Sequence, residues 1–271
     1  MSGEGSDGGA ACVSKRTAII LDLDGTVYRG ERLIPGAREA VEELRRWARS
    51  LVFVTNALES PAEHAAKLTR LGIPASADDV VTAPWVLRRY LCRHMSGATL
   101  FVISDPPLPE YLAARFPLSE DPQEIEAVVV SCDRAFDFRK LNIGFQALRR
   151  GARFLAINGD PTCPVPGGEL PDAGAVIGAL EGCSGRQVDL MAGKPSPLMV
   201  EAVLERLGRQ AGECLLIGDS LEADILMGWR AGMTTVLVLT GVTRRADLAQ
   251  APVRPDHVLS SIAEAPRLLS Q

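Results

Sequence analysis

Asp22 and Asp24, one residue apart, close the apolar run Thr17-Ala18-Ile19-Ile20-Leu21 and lead into Gly25-Thr26. A carboxylate can attack phosphorus and form an acyl phosphate, dividing one hard displacement into two easier ones. The spacing lets one carboxylate attack while the other faces the leaving oxygen. Asp24 could then protonate the leaving group and later take a proton from the attacking water. Crowded carboxylates raise one another's pKa, which keeps that proton available. Attack on a phosphate dianion is repelled unless its charge is neutralised, and a divalent cation does this while clamping the phosphoryl oxygens. Hard oxygen ligands and the lack of clustered histidine favour Mg²⁺ over zinc. Taken alone, a D-x-D-G segment also occurs as a solvated turn.

Three further places could serve the same chemistry. Thr55-Asn56 follows a second apolar run and offers a hydroxyl and an amide to phosphoryl oxygens, although such residues also cap helices. Lys194 stands in Gly193-Lys194-Pro195-Ser196-Pro197, just before an expected helix N-terminus, a setting that suits an anion. Asp219, with Glu222 and Asp224, follows a third apolar run; acidic residues there also favour the dipole of a helix start. His64, His94 and His257 are far apart along the chain and receive no catalytic role.

The elements that must hold these residues alternate. Apolar runs at 17–21, 51–54, 79–82, 214–217 and 235–239 read as strands buried on both faces, with 257–259 as an edge strand. Helices are expected at 35–49, from Ser60 (a capping box with Pro61 at the first helical position) to Gly72, at 84–95, from Ser196 to about Gly208, and at 221–230. Residues 27–34 read as a small hairpin-like flap. Trp47, Trp85 and Trp229 read as helix-packing residues. Between 97 and 186 the pattern restarts: strands at 99–104, 127–131 and 154–157, helices at 141–150 and 173–181, and a Gly- and Pro-rich loop at 164–171. The expected fold class is α/β, a doubly wound parallel sheet (17–96 and 187–271) with an inserted α/β cap domain (97–186). In such sheets ligands bind beyond the carboxyl ends of the strands. Asp22, Asp24, Thr55, Asn56 and Asp219 all stand at such ends.

Composition narrows the classes. The chain has 271 residues, 46% hydrophobic and 23% charged, with a formal net charge of −5, an ordinary globular make-up without the basic footprint of a nucleic-acid binder. An anionic substrate must therefore be attracted by local charge. No apolar run is long enough for a membrane span, and residues 1–16 lack the apolar stretch of a signal peptide, so they read as a flexible tail. Gly3, Gly5 and Gly8 match G-x-G-x-x-G, but no strand precedes them, as a dinucleotide loop requires. The six cysteines are scattered with no C-x-x-C pair, as in a reduced, cytoplasmic protein.

The four places, in this order, resemble the ordered motifs of the haloacid dehalogenase superfamily: Asp22-Leu23-Asp24-Gly25-Thr26, Thr55-Asn56, Lys194 and Gly218-Asp219-Ser220-Leu221-Glu222-Ala223-Asp224. Nearly the whole chain after the tail is similar to the NagD-like, or nitrophenylphosphatase-like, branch, through Val27-Tyr28-Arg29-Gly30, Pro35-Gly36-Ala37, Asn158-Gly159-Asp160, Gly178-Ala179-Leu180-Glu181 and Gly193-Lys194-Pro195-Ser196-Pro197. The resemblance implies Asp22 as nucleophile and Asp24 as acid/base. It implies Mg²⁺ held by the Asp22 carboxylate, the Asp24 backbone carbonyl and Asp219, with Asp224 supporting the metal from behind. It implies Thr55, Asn56 and Lys194 on the phosphoryl group, Asp160 in the cap beside substrate, and homo-oligomers formed through the cap. Ala57-Leu58 departs from the branch, which usually has a second Asn followed by Ser and so a polar pair beside the nucleophile. Asn158-Gly159 replaces a more usual Asn-Pro.

The expected activity is Mg²⁺-dependent hydrolysis of a small phosphorylated metabolite through an aspartyl phosphate, with neither nucleic acid nor membrane as partner. A phosphomutase or phosphotransferase would use the same aspartate but exclude water. A degenerate member would bind without turnover.

Overall fold

The computed structural model describes residues 18–165, 167–251 and 253–269. The tail expected over 1–16, its glycine pattern and Cys12 lie outside the described residues.

The described residues open with β1 (Ala18–Asp22), the short strands β2 (Tyr28–Arg29) and β3 (Arg32–Leu33), and α1 (Ala37–Trp47). Next come β4 (Ser50–Thr55), α2 (Pro61–Arg70), β5 (Val80–Thr82) and α3 (Ala83–His94). The inserted segment holds β6 (Leu100–Ile103), α4 (Leu108–Ala113), β7 (Ala127–Val130), α5 (Phe138–Arg149), β8 (Arg153–Ala156), β9 (Thr162–Val165), β10 (Gly168–Pro171), α6 (Ala173–Ser184) and β11 (Leu190–Met191). The chain then forms α7 (Pro197–Leu207), β12 (Cys214–Gly218), α8 (Leu226–Ala231), β13 (Thr234–Val238) and β14 (His257–Leu259). The main sheet has six strands in the order β14-β13-β12-β1-β4-β5. The architecture is thus α/β on a parallel sheet, the class read from the sequence.

By compactness the described chain divides into two units, one reaching Leu51 and resuming at Leu207, the other Val52–Arg206. In the first, β1, β12, β13 and β14 form parallel ladders. Every residue of β1 and of β12 is buried, which is why both read as unbroken apolar runs. Tyr28 and Arg29 pair with Leu33 and Arg32 in the expected hairpin. In the second unit β4 and β5 pair in parallel. A separate four-stranded sheet there has the order β11-β8-β7-β6, with parallel ladders throughout. Its core joins Ile103, Val128, Val130 and Phe154 to Ala147, Leu148, Val176 and Leu180 of α5 and α6.

Local rules explain most boundaries. Ser60 accepts from the Glu63 N–H, and the Glu63 carboxylate accepts from the Ser60 N–H, so α2 starts at its capping box with Pro61 in the first turn. Asp137 caps α5 by accepting from Lys140 N–H at 2.8 Å, so that the helix begins at Phe138, three residues before the start expected from its apolar pattern. Three expectations are corrected. Residues 164–171 are not a loop: β9 and β10 form an antiparallel hairpin, with Gly167 at φ 93° beside its apex. Proline is tolerated because both strands of an isolated ribbon are edges. The helix expected over 221–230 begins as a π-helical turn, Leu221–Ile225, before α8. Trp229 is 59% exposed and does not pack inward, because α8 turns Met227 and Gly228 to the interior instead.

Candidate active site

β1 and β12 pair in register, Leu21 against Ile217. Asp22 and Asp219, each one or two residues further on, therefore emerge at the same carboxyl edge of the sheet. The π turn brings a third carboxylate to that edge. Ser220 caps it by accepting from Ala223 N–H at 3.1 Å, and the Ser220 N–H donates to Asp224 Oδ2 at 3.1 Å. One carboxylate oxygen each from Asp22, Asp219 and Asp224 lies within 4.8 Å of the others, and all three residues are buried. At an effective dielectric of about 20, each such pair of charges repels by roughly 3–4 kcal/mol. Clustered hard oxygens of one sign are what a divalent cation requires, and this donor set fits Mg²⁺.

A loop after β13 fixes the cluster. Val242 N–H donates to Asp219 Oδ2 at 2.6 Å, and Thr243 N–H donates to the Asp219 carbonyl at 3.3 Å. Thr243 Oγ1 accepts from Leu221 N–H at 3.3 Å, at the start of the π turn, and Thr240 Oγ1 donates to the Gly25 carbonyl at 2.6 Å. The Asp219 carboxylate lies so close to Gly241 that a Cβ there would fall 1.6 Å from Oδ2. Only glycine leaves that space. A Cβ on Gly25, whose φ is 83°, would meet the same oxygen at 2.4 Å. Thr240-Gly241-Val242-Thr243 escaped the sequence reading. Its one signal was a Thr-Gly pair directly after a buried strand.

Asp24 differs from its neighbours. It is exposed, forms a bridge with Tyr28, and precedes a tight turn in which Gly25 N–H donates to the Tyr28 carbonyl at 2.7 Å. Its carboxylate is not among the clustered oxygens. An exposed carboxyl can exchange protons with solvent, as an acid/base must.

The remaining expected residues belong to the second unit. Thr55, 4% exposed, ends β4, and its Oγ1 accepts from Ala57 N–H at 3.1 Å. Asn56 and Lys194 stand together although 138 residues apart: Lys194 N–H donates to Asn56 Oδ1 at 2.7 Å, and Asn56 Nδ2 donates to the Lys194 carbonyl at 3.2 Å. Lys194 is 5% exposed. Asp160 follows β8 and accepts from Asn158 Nδ2 at 2.7 Å. Burial pushes the nearby Asp172 carboxyl up, and the charge of Asp160 adds to the rise, against a stabilising Ala173 N–H.

Residues 19–115 match the haloacid dehalogenase-like hydrolase family model, and residues 191–265 match a second model of HAD-like hydrolases. Sugar-phosphatase AraL of Bacillus subtilis is 38% identical over 255 residues, 93% of each chain. A p-nitrophenyl phosphatase from Archaeoglobus fulgidus has a TM-score of 0.88 at 30% identity, over 93% of this chain and 98% of that one. A glycerol phosphate phosphatase from Mycobacterium tuberculosis, solved in complex with magnesium, has a TM-score of 0.81 at 30% identity, covering 94% of this chain and 76% of that one.

Proposed function

The chain belongs to the haloacid dehalogenase-like hydrolases, in the branch of NagD and the p-nitrophenyl phosphatases, and we propose that it hydrolyses small phosphate monoesters through an aspartyl phosphate on Asp22. The observation that carries this reading is the buried cluster of Asp22, Asp219 and Asp224 at the carboxyl edge of the sheet.

In this reading an Asp22 carboxylate oxygen attacks phosphorus and the bond from phosphorus to the leaving oxygen breaks. Asp24 gives its proton to that oxygen, so a neutral alcohol departs. Water then attacks the acyl phosphate, Asp24 takes one of its protons, and inorganic phosphate leaves Asp22 as a free carboxylate. Bound Mg²⁺ supplies charge neutralisation for the phosphoryl oxygens; the Asp22 and Asp219 carboxylates and the Asp24 carbonyl would hold it, with Asp224 as support. Thr55 and Lys194 would bind the phosphoryl group; Asn56, expected beside them, has both its amide oxygen and its amide nitrogen on the Lys194 backbone. The insert, about residues 97–186 with β11 at Leu190–Met191 completing its four-stranded sheet, would act as a cap that excludes water and selects the leaving group, with Asp160 beside it. Homo-oligomers through this cap, and a cytoplasmic setting, belong to the same proposal.

The test is phosphate release from p-nitrophenyl phosphate and a panel of sugar, glycerol and nucleoside phosphates, with and without Mg²⁺. Steady release that stops on chelation is expected. Transfer of the phosphoryl group between two sugars without free phosphate would mean a mutase, and no turnover on any ester would mean a binding protein.

A further inference from the structure

Asn56 does something the sequence motif does not record. Its side chain makes a two-way clasp on the peptide backbone of Lys194, with Oδ1 accepting at 2.7 Å and Nδ2 donating at 3.2 Å. Lys194 comes three residues after β11, the edge strand of the four-stranded sheet. The two residues between are held as well: Ala192 N–H donates to the Ala156 carbonyl at 2.9 Å and Gly193 N–H to the Ile157 carbonyl at 2.6 Å, at and just beyond the end of β8. A Cβ on Gly193 would fall 2.5 Å from Asn56 Oδ1 and 2.6 Å from that carbonyl, so the close approach needs glycine here. Asn56 itself directly follows β4 of the main sheet. The clasp therefore ties the end of a main-sheet strand to the exit of the insert's sheet, at the base of a buried lysine.

We propose that Asn56 is a positioning residue for Lys194: its amide fixes the lysine backbone so that the ammonium is presented to the phosphoryl group, and its contribution to turnover passes through that lysine. An amide that both accepts and donates suits the role, because its oxygen and nitrogen sit side by side on one short planar group and can meet the C=O and N–H of a single residue, where Gln is a methylene longer. Misplacing a catalytic group by about 1 Å can cost as much as a hundredfold in rate, so a backbone clasp can matter without touching substrate. This inference rests on the phosphatase reading, in which Lys194 meets the phosphoryl group.

A double-mutant cycle on the full-length enzyme tests it, with p-nitrophenyl phosphate and Mg²⁺. Lys194→Met is expected to lower kcat/KM by about a hundredfold or more, the scale of losing one charge-stabilising donor. Asn56→Ala should lower it by about tenfold in the parent enzyme but by less than about twofold in the Lys194→Met background. Asn56→Asp, which keeps the acceptor for Lys194 N–H and loses the donor, should fall between parent and Asn56→Ala, and it replaces the alanine variant should that one fail to fold. Losses of equal factor in both backgrounds would mean that Asn56 acts on substrate independently and would overturn the proposal, as would full activity of Asn56→Ala. The same cycle read by calorimetry of inorganic phosphate binding requires no turnover, so an inactive parent enzyme would sink the phosphatase reading while the clasp is still judged by its coupling to Lys194.

Discussion

Asp219 is held by a backbone N–H at 2.6 Å, by the carbon wall of Gly241 and by the turn at Gly25, so its carboxylate has little freedom to move. Gly241→Ala would drive a methyl into that oxygen and swing it away from Asp22 and Asp224. Displacing groups that orient metal ligands typically costs ten- to a hundredfold in metal affinity. Mg²⁺ titrations of phosphatase activity should show the half-saturating concentration rising by about that factor, with KM for the ester changed far less. An unchanged Mg²⁺ requirement would mean that the loop does not orient the site. At this scale the sequence was informative where polar residues interrupt apolar runs, because a buried strand that ends in carboxylates invites a chemical explanation. It was silent on Gly241, whose importance lies in the oxygen it faces, and on the clasp made by Asn56, since contacts across 138 residues leave no local pattern.

Among the elements, α2 has the most fully specified start, with Ser60 and Glu63 satisfying each other's backbone donors. Ser60→Ala should cost about 1 kcal/mol, lowering the thermal midpoint by roughly 2–4 °C in a chain of this size while leaving kcat/KM near its parent value. The midpoint from calorimetry and a steady-state assay check both halves. Asp172 supplies a pH-dependent case. Its folded-state carboxyl is raised, chiefly by burial, so the ionised form disfavours folding. The sign follows: the penalty is absent below the ordinary value of 3.8 and grows as pH rises through it toward the raised folded value. Asp172→Asn should therefore raise the unfolding midpoint at neutral pH, with the difference shrinking as pH falls toward 4; a difference independent of pH would contradict it. Helix starts and buried strands were legible because caps, prolines and apolar periods are local signals. The β9–β10 ribbon was not, since Pro and Gly mark both loops and hairpin edges. Nor was α4, which begins amid Pro106, Pro107 and Pro109, residues that by themselves signal a break.

For the whole molecule, the alternation of strands and helices sufficed to give the parallel main sheet and the separate insert sheet, because strand-helix alternation admits few topologies. The order of chemistry-bearing segments put Asp22 and Asp219 at strand ends, whereas the entry of the Asp224 carboxylate into their cluster comes from the π turn. What alternation could not give is which strand edge each insert loop reaches, because loop conformation is set by tertiary contacts such as Gly193 on Ile157. The buried cluster of Asp22, Asp219 and Asp224 belongs to the folded chain, and an ion that binds only the folded form stabilises it. Mg²⁺ at about a hundred times its dissociation constant should add about 2.7 kcal/mol, or roughly 5–10 °C in the unfolding midpoint, and a chelator should reverse the rise. Asp219→Asn should abolish the shift. The central claim, a covalent phosphoryl group on Asp22, is tested most directly by intact-mass spectrometry of acid-quenched enzyme turning over p-nitrophenyl phosphate. The parent should carry one added phosphoryl mass, localised to the peptide holding Asp22 and released by hydroxylamine, while Asp22→Asn should carry none and lose at least about 10⁴-fold in kcat. An Asp22→Asn enzyme that keeps its fold and most of its turnover would contradict the account.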